Sequence, residues 1–279
     1  MKILLKLMKL RFWLLSVIAP KTAAQKALNI FTKPHFKKTR DREKRFLNTA
    51  NVLRIKHEIE DIIIYESGEK SGIPIVAVHG WDSNPGSLSG ITDELAKRGF
   101  HIYSLNVPAH GISKKKGTNM FETAQIIVKI LKYINHEKVS FVTHSFGSGA
   151  VSIALQTSKI KADKLAFITS PDKLWDIFKD FADMIGLNNK AFKTMLKITE
   201  KRFGRTFDEM QISNILSESY YNKILIIHDK KDKILPFENS NRIQNLNPKS
   251  EIFATEGKGH YRILWDEQVI KKVTQFMEG

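Results

Sequence analysis

The stretch Val139-Ser140-Phe141-Val142-Thr143-His144-Ser145-Phe146-Gly147-Ser148-Gly149 decides how the chain is read. Val139 to Thr143 is rich in β-branched and aromatic residues, as a short strand is. It runs directly into a turn of small residues that opens a helix-length segment, Phe146 to Thr157. A strand that turns sharply into a helix projects a serine hydroxyl above the sheet edge, and the turn needs small residues two positions before and two after that serine. Gly147 meets the need around Ser145, and Thr143 meets it in part. Taken alone, Ser-Phe-Gly-Ser-Gly is also compatible with a plain loop, so the flanking sequence has to decide.

Outward from this point, short β-branched runs alternate with amphipathic stretches of helical length. That pattern predicts a doubly wound, mostly parallel sheet with helices on both faces. The predicted strands are Ile59 to Tyr65, Pro74 to Val78, His101 to Leu105, Val139 to Thr143, Leu165 to Thr169, Ile224 to His228 and Glu251 to Thr255. Helices are predicted near Ser87 to Arg98, Phe121 to Asn135, Phe146 to Thr157, Phe237 to Asn245 and Leu264 to Met277. One interval breaks the rhythm, because about fifty residues separate Thr169 from Ile224. Within it Trp175, Phe178, Phe181, Met184, Ile185, Phe192, Met195, Leu196 and Phe203 recur at helical spacing, with Gly186 and Gly204 as breaks, so residues 171–218 are expected to form a helical cap. The core is then residues 57–170 and 219–279.

Residues 1–56 are a separate, basic appendage. They hold fifteen Lys and Arg against Asp41 and Glu43 alone, so +13 of the net +16 lies there. A negatively charged partner would be met at this end, and the rest of the surface has no nucleic-acid footprint. Nor are the basic residues interleaved with base-stacking aromatics, so nucleic acid is not an expected partner. Met1 to Ile18 alternates apolar residues with Lys2, Lys6, Lys9 and Arg11, and its longest uncharged run is too short to span a bilayer. Lys2, Lys6 and Lys9 share one helical face with Leu and Ile opposite, which suits a helix lying in a membrane interface. A helix packed on the domain and a secretory signal are the other readings, although Lys21 interrupts the region where a cleavage site would fall. The run Lys33 to Arg45 reads as a solvated linker. Zero cysteines remove disulfides, a thiol nucleophile and thiolate metal sites. The expected location is cytoplasmic, with peripheral contact at the inner membrane face through Met1 to Ile18.

A serine at its ordinary pKa needs a base within hydrogen-bond reach, and the base needs an orienting acid. After the strand Ile224 to His228 comes Asp229-Lys230-Lys231-Asp232-Lys233-Ile234-Leu235-Pro236, and after the last strand comes Glu256-Gly257-Lys258-Gly259-His260. Both follow carboxyl ends of strands, the edge where open parallel sheets place ligands. Asp232 is favoured as the acid because it lies deeper in its loop, shortly before Pro236. Asp229 is read as a turn-former, and Asp172 is a third candidate. His260 is the base, with Gly257 and Gly259 allowing its loop to fold over the site. A tetrahedral oxyanion needs preorganised N–H donors. The N–H groups of Trp81, in Val78-His79-Gly80-Trp81-Asp82, and of Phe146, directly after Ser145, are the natural pair. His79 is assigned a structural role, as are His101, His136 and His228, which lack ligand-like spacing.

His79-Gly80-Trp81, Asn106-Val107-Pro108-Ala109-His110-Gly111-Ile112-Ser113, the turn at Ser145, Asp232 to Pro236 and the terminal Gly259-His260 together resemble the α/β-hydrolase superfamily over about Ile59 to Met277. The resemblance implies a sheet of eight or nearly eight strands, a Ser145-Asp232-His260 triad, a two-amide oxyanion hole and a lid over an acyl pocket, with no cofactor or metal. Two departures stand out. Thr143 replaces the usual glycine, and Asn106 and Ala109 stand where an acidic residue and a glycine are often found. The expected activity is cleavage of a small-molecule carboxylic ester with an apolar acyl or alkyl group, through an acyl-enzyme. A membrane-associated lipid hydrolase or acyltransferase and a non-catalytic binding protein of the same fold are the alternatives.

Overall fold

A computed structural model describes residues 2–35 and 39–279. Met1 and, within the predicted linker, Phe36, Lys37 and Lys38 lie outside the described residues. In chain order the elements are α1 (Lys2–Ile18), α2 (Pro20–Phe31), α3 (Asp41–Thr49), β1 (Asn51–Ile55), β2 (Ile62–Gly68), β3 (Pro74–Val78), α4 (Ser89–Lys97), β4 (His101–Leu105), α5 (Met120–Ile134), β5 (Ser140–His144) and α6 (Phe146–Ser158). They continue with β6 (Ala162–Ile168), α7 (Leu174–Ile185), α8 (Asn189–Phe203), α9 (Ile212–Ser217), β7 (Tyr221–Asp229), α10 (Glu238–Leu246), β8 (Ser250–Thr255), α11 (Gly259–Arg262) and α12 (Glu267–Glu278).

The chain divides into two compact units. The larger comprises residues 34–172 and 212–279. It is built on one eight-stranded sheet of order β1-β2-β4-β3-β5-β6-β7-β8, antiparallel at β1, β2 and β4 and parallel from there on. Strands β3, β5, β6 and β7 are buried on both faces because helices cover both sides, which is why they read as continuous apolar runs. Ile127, Ile130, Phe141, Ile153, Phe167 and Ile243 fill one face, under α5, α6 and α10. Ile75, Leu95, Val142, Leu225, Val269 and Val273 fill the other, under α4 and α12. The chain winds outward from β3 to β4 and then returns to place β5 on the other side of β3. That reversal falls between β3 and β5, and the carboxyl ends of strands at such a switch point are where doubly wound sheets bind ligands.

The predicted strands are present, with shifted ends. β2 starts at Ile62 instead of Ile59, because the Glu60 carboxylate accepts from the Ser113 hydroxyl and the Lys114 N–H and keeps the preceding segment out of the ladder. The last long helix starts at Glu267 instead of Leu264, since Asp266 caps it by accepting from the Gln268 and Val269 N–H groups. The segment read as a solvated linker contains α3 and leads into the edge strand β1. Glu43, although charged, is buried there, accepting from the Arg40 N–H at 2.8 Å and the Asn84 amide at 3.0 Å. Arg42 lies over the Trp265 ring at 3.9 Å. The compact-unit boundary therefore falls at residue 33, whereas the change in charge pattern had placed it at 56.

The smaller unit comprises residues 1–33 and 173–211. Helices α1 and α2 pack together and against α7 and α8. Ala23, Ala24 and Ala27 are fully buried, so their small side chains let α2 approach its neighbours closely. Phe31 meets Phe178 and Phe181 at centroid distances of 4.4 and 5.0 Å, and Phe178 meets Phe207 at 5.0 Å. No described helix is long and apolar enough to cross a membrane.

Candidate active site

Strands β3 to β8 run parallel and end at one carboxyl edge of the sheet, and the segments after β3, β5, β7 and β8 carry Trp81, Ser145 with Phe146, Asp232 and His260. Strand β5 ends at His144, and Ser145 stands at the N-terminus of α6 with φ +49° and ψ −115°. This is a conformation that a side chain bearing a Cβ rarely adopts, and the surrounding packing must hold it. The Ser145 N–H donates to the Ile168 carbonyl of the neighbouring strand at 2.9 Å, which fixes the turn from one side. Gly147 fixes it from the other. A Cβ at that position would lie 2.2 Å from the Val78 carbonyl oxygen, so α6 can cross the end of β3 only with glycine there. Thr143, where a smaller residue was expected, is accommodated by a 2.7 Å hydrogen bond between its hydroxyl and that of Ser148.

His260 lies in the first turn of the short helix α11, and its Nδ1 donates to Asp232 Oδ2 at 2.8 Å. Both side chains are buried. Asp232 Oδ1 accepts from the N–H groups of Ile234 and Leu235 at 2.8 and 3.1 Å. Burial works to raise this carboxyl, but hydrogen bonding toward His228 and His260 and the backbone N–H of Ile234 outweigh it and hold Asp232 well below the usual carboxylate range. A carboxylate that remains ionised keeps the proton on His260 Nδ1, which leaves Nε2 as the basic nitrogen. His228 lies beside Asp232. Its Nε2 donates to the Leu235 carbonyl at 2.9 Å and lies 3.6 Å from Asp232 Oδ2, and its Nδ1 shares a 2.7 Å hydrogen bond with the Ser240 hydroxyl.

The other two aspartates are occupied elsewhere. Asp229 ends β7 and accepts from the Lys231, Gly257 and Lys258 N–H groups and the Thr255 hydroxyl. It ties the loop that carries His260 to the end of β7, a larger part than forming its own turn. Asp172 accepts from the Ser213 N–H and from Arg242 Nε, both at 2.9 Å, and is committed to holding α9 and α10.

Trp81 follows Gly80 in the loop after β3. A Cβ on Gly80 would fall 3.3 Å from Ser145 Cβ and 2.5 Å from His144 Nδ1, so this backbone passes directly beside the serine. Phe146 is the first residue of α6, where a helix leaves its N–H without an intrahelical acceptor. The Trp81 and Phe146 rings lie 5.2 Å apart. His79 is fully buried. Its Nε2 accepts from the Val107 N–H, its Nδ1 donates to the Gly80 carbonyl, and burial together with nearby His110 lowers it to about 3. It is neutral and braces two loops. Ala109 takes φ +66° in the second of these loops, the position where a glycine was missed.

One residue near the site was not singled out from sequence. His144, directly before the serine, donates from Nε2 to the His260 backbone carbonyl at 2.9 Å, and its ring centroid lies 4.8 Å from that of His260. Burial and the neighbouring His260 keep it well below the ordinary histidine value, and so neutral. Its adjacency to Ser145 was the available signal. Among the described residues, no group of three or more His, Asp or Glu is arranged to hold a metal ion.

Comparison with known proteins agrees with this architecture. The sequence family described as alpha/beta hydrolase fold matches residues 73–188. The AB hydrolase superfamily protein YisY of Bacillus subtilis (strain 168) is 23% identical over 262 residues, which cover 78% of this chain and 96% of that protein. A putative lipase from Acinetobacter baumannii superposes with a TM-score of 0.67 at 15% identity, covering 85% of this chain and 93% of that one. An esterase of Pyrococcus furiosus superposes with a TM-score of 0.65 at 19% identity, covering 88% and 98% respectively. The sheet order, the turn at Ser145 and these likenesses agree that the chain has the α/β-hydrolase fold.

Proposed function

We propose that the protein is a serine hydrolase that cleaves a carboxylic ester with an apolar acyl or alkyl group through an acyl-enzyme. The observation that carries the reading is the pairing of a serine held at φ +49° on the strand-to-helix turn with a histidine whose Nδ1 is bound 2.8 Å from a buried carboxylate. Ser145 Oγ attacks the ester carbonyl carbon while His260 Nε2 takes the hydroxyl proton, and Asp232 stabilises the imidazolium that forms. The Trp81 and Phe146 N–H groups receive the negative charge that develops on the carbonyl oxygen. Collapse of the tetrahedral intermediate breaks the C–O bond, and the imidazolium returns its proton to the departing alcohol. Water then attacks the acyl-enzyme by the same route, releasing the acid and restoring Ser145.

Support for an apolar substrate group comes from the residues around these positions. The Trp81 and Phe146 rings pack together, and Tyr261 follows His260. The esterase and lipase names of the structural neighbours point the same way. The test is hydrolysis of p-nitrophenyl esters of increasing acyl length beside the matching anilides. Ester turnover with a chain-length optimum supports the reading. Turnover of the anilides alone, or of neither series by folded protein, overturns it.

A further inference from the structure

Helix α1 is apolar on two opposite sides. Phe12, 6% exposed, and Ser16 point into the small helical unit, where the Ser16 hydroxyl donates to the Phe12 carbonyl at 2.6 Å. On the opposite side Leu7, Leu10, Trp13, Leu14, Val17 and Ile18 are all exposed, from 45% at Leu14 to 81% at Ile18. One helix-length row of six large apolar residues facing water is far from the scattered single exposures usual on a protein surface. Its charges lie at or near the borders of this row. At 3.6 residues per turn, Lys9 falls on one border and Arg11 on the other, both exposed, and Lys6 stands within the row near its start. This corrects the sequence expectation that the lysines occupy a face opposite the apolar residues. They flank an apolar face instead, because the side opposite it packs against α2 and α7.

The row borders a groove of about 410 Å³ between α1 and α2, with Leu7, Leu10, Leu14 and Ile18 on its walls and the cations Arg11 and Lys26 at its rim. A partner for this surface has to supply apolar chains next to negative charge. Residues 1–33, the N-terminal part of this unit, carry seven Lys and Arg and no acid, so the field around the face favours an extended anionic surface. We propose that the exposed face of α1 docks in the interface of an anionic phospholipid bilayer, with Leu10, Trp13, Leu14 and Val17 in the acyl region and Lys9, Arg11 and Lys26 at the headgroups. The helix lies flat there, since it is too short and too charged to cross.

The test is co-sedimentation of the full chain with phosphatidylcholine vesicles, with and without about a third of phosphatidylglycerol. Wild type is compared with Leu10→Glu/Leu14→Glu and Arg11→Glu/Lys26→Glu, with thermal melts showing that each variant folds. The expected result is strong binding to the anionic vesicles only, weakened by salt. Binding should fall more than about tenfold in the leucine variant and about fivefold for each reversed cation. Equal binding to both vesicle types, or none by folded wild type, overturns the proposal. So does a wild-type dimer in the absence of lipid that the leucine variant converts to monomer, which would assign the face to a second copy of the chain.

Discussion

Replacing Asp232 with Asn changes a charge and almost no volume, and the structure fixes what that change does. Oδ1 accepts from the Ile234 and Leu235 N–H groups, and these bonds hold the side-chain carbonyl of the asparagine on that side. The amide nitrogen then faces His260 Nδ1, 2.8 Å away, and can only donate. His260 must shift its proton to Nε2 to accept that bond, so the nitrogen proposed as the base can no longer take a proton. Loss of the orienting carboxylate through the wrong tautomer costs about a thousandfold to ten-thousandfold in kcat/KM, or about 4–5.5 kcal/mol of transition-state stabilisation. The assay is steady-state hydrolysis of a p-nitrophenyl ester by Asp232→Asn and Asp172→Asn, with thermal melts of both. Asp172 serves as the contrast, because its partners are Arg242 and the Ser213 N–H and its loss should lower stability with little effect on kcat. Activity of folded Asp232→Asn within tenfold of wild type, or an equal loss in Asp172→Asn, would rule out this role for Asp232.

Three further outcomes follow from particular contacts. Gly147→Ala drives a Cβ to 2.2 Å from the Val78 carbonyl oxygen. It should destabilise by about 1–3 kcal/mol or more and abolish activity, measured by denaturant unfolding and ester turnover. Ala109→Gly relieves a left-handed residue at φ +66° and should raise stability by about 0.5–1 kcal/mol without changing kcat. His79 is held neutral with its value lowered to about 3 by burial and His110, while the unfolded chain titrates near 6.5. The unfolded state therefore binds the extra proton between these values, so stability is lost as pH falls from about 6.5 toward 3. In His79→Gln that slope should be shallower, as read from melting temperatures across the range.

Most of the sheet was legible because its central strands are buried on both faces and read as unbroken apolar runs, such as Phe141-Val142 and Ile224 to Ile227. Elements at the margin were not. Strand β1, Asn51–Ile55, pairs on one edge only, and its burial is too shallow to leave an apolar pattern. Helix α3 was hidden within a basic run, since its ordering rests on Glu43 accepting from Asn84, a contact 41 positions away. The association of α1 and α2 with α7 and α8 was equally hidden, because helical periodicity shows that each has an apolar face and does not say which faces meet. At the site, Ser145, Asp232 and His260 stood out because each follows a strand end with turn residues around it. His144 did not, since nothing in its residue type signals a hydrogen bond to a carbonyl 116 positions along the chain.

The most direct test of the account is covalent labelling of the purified protein by a fluorophosphonate, wild type beside Ser145→Ala. The account predicts one equivalent of label on wild type, mapped to Ser145 by peptide mass, and none on the folded mutant. Unlabelled, well-folded wild type, or labelling that persists in Ser145→Ala, would contradict the assignment of Ser145 as the nucleophile.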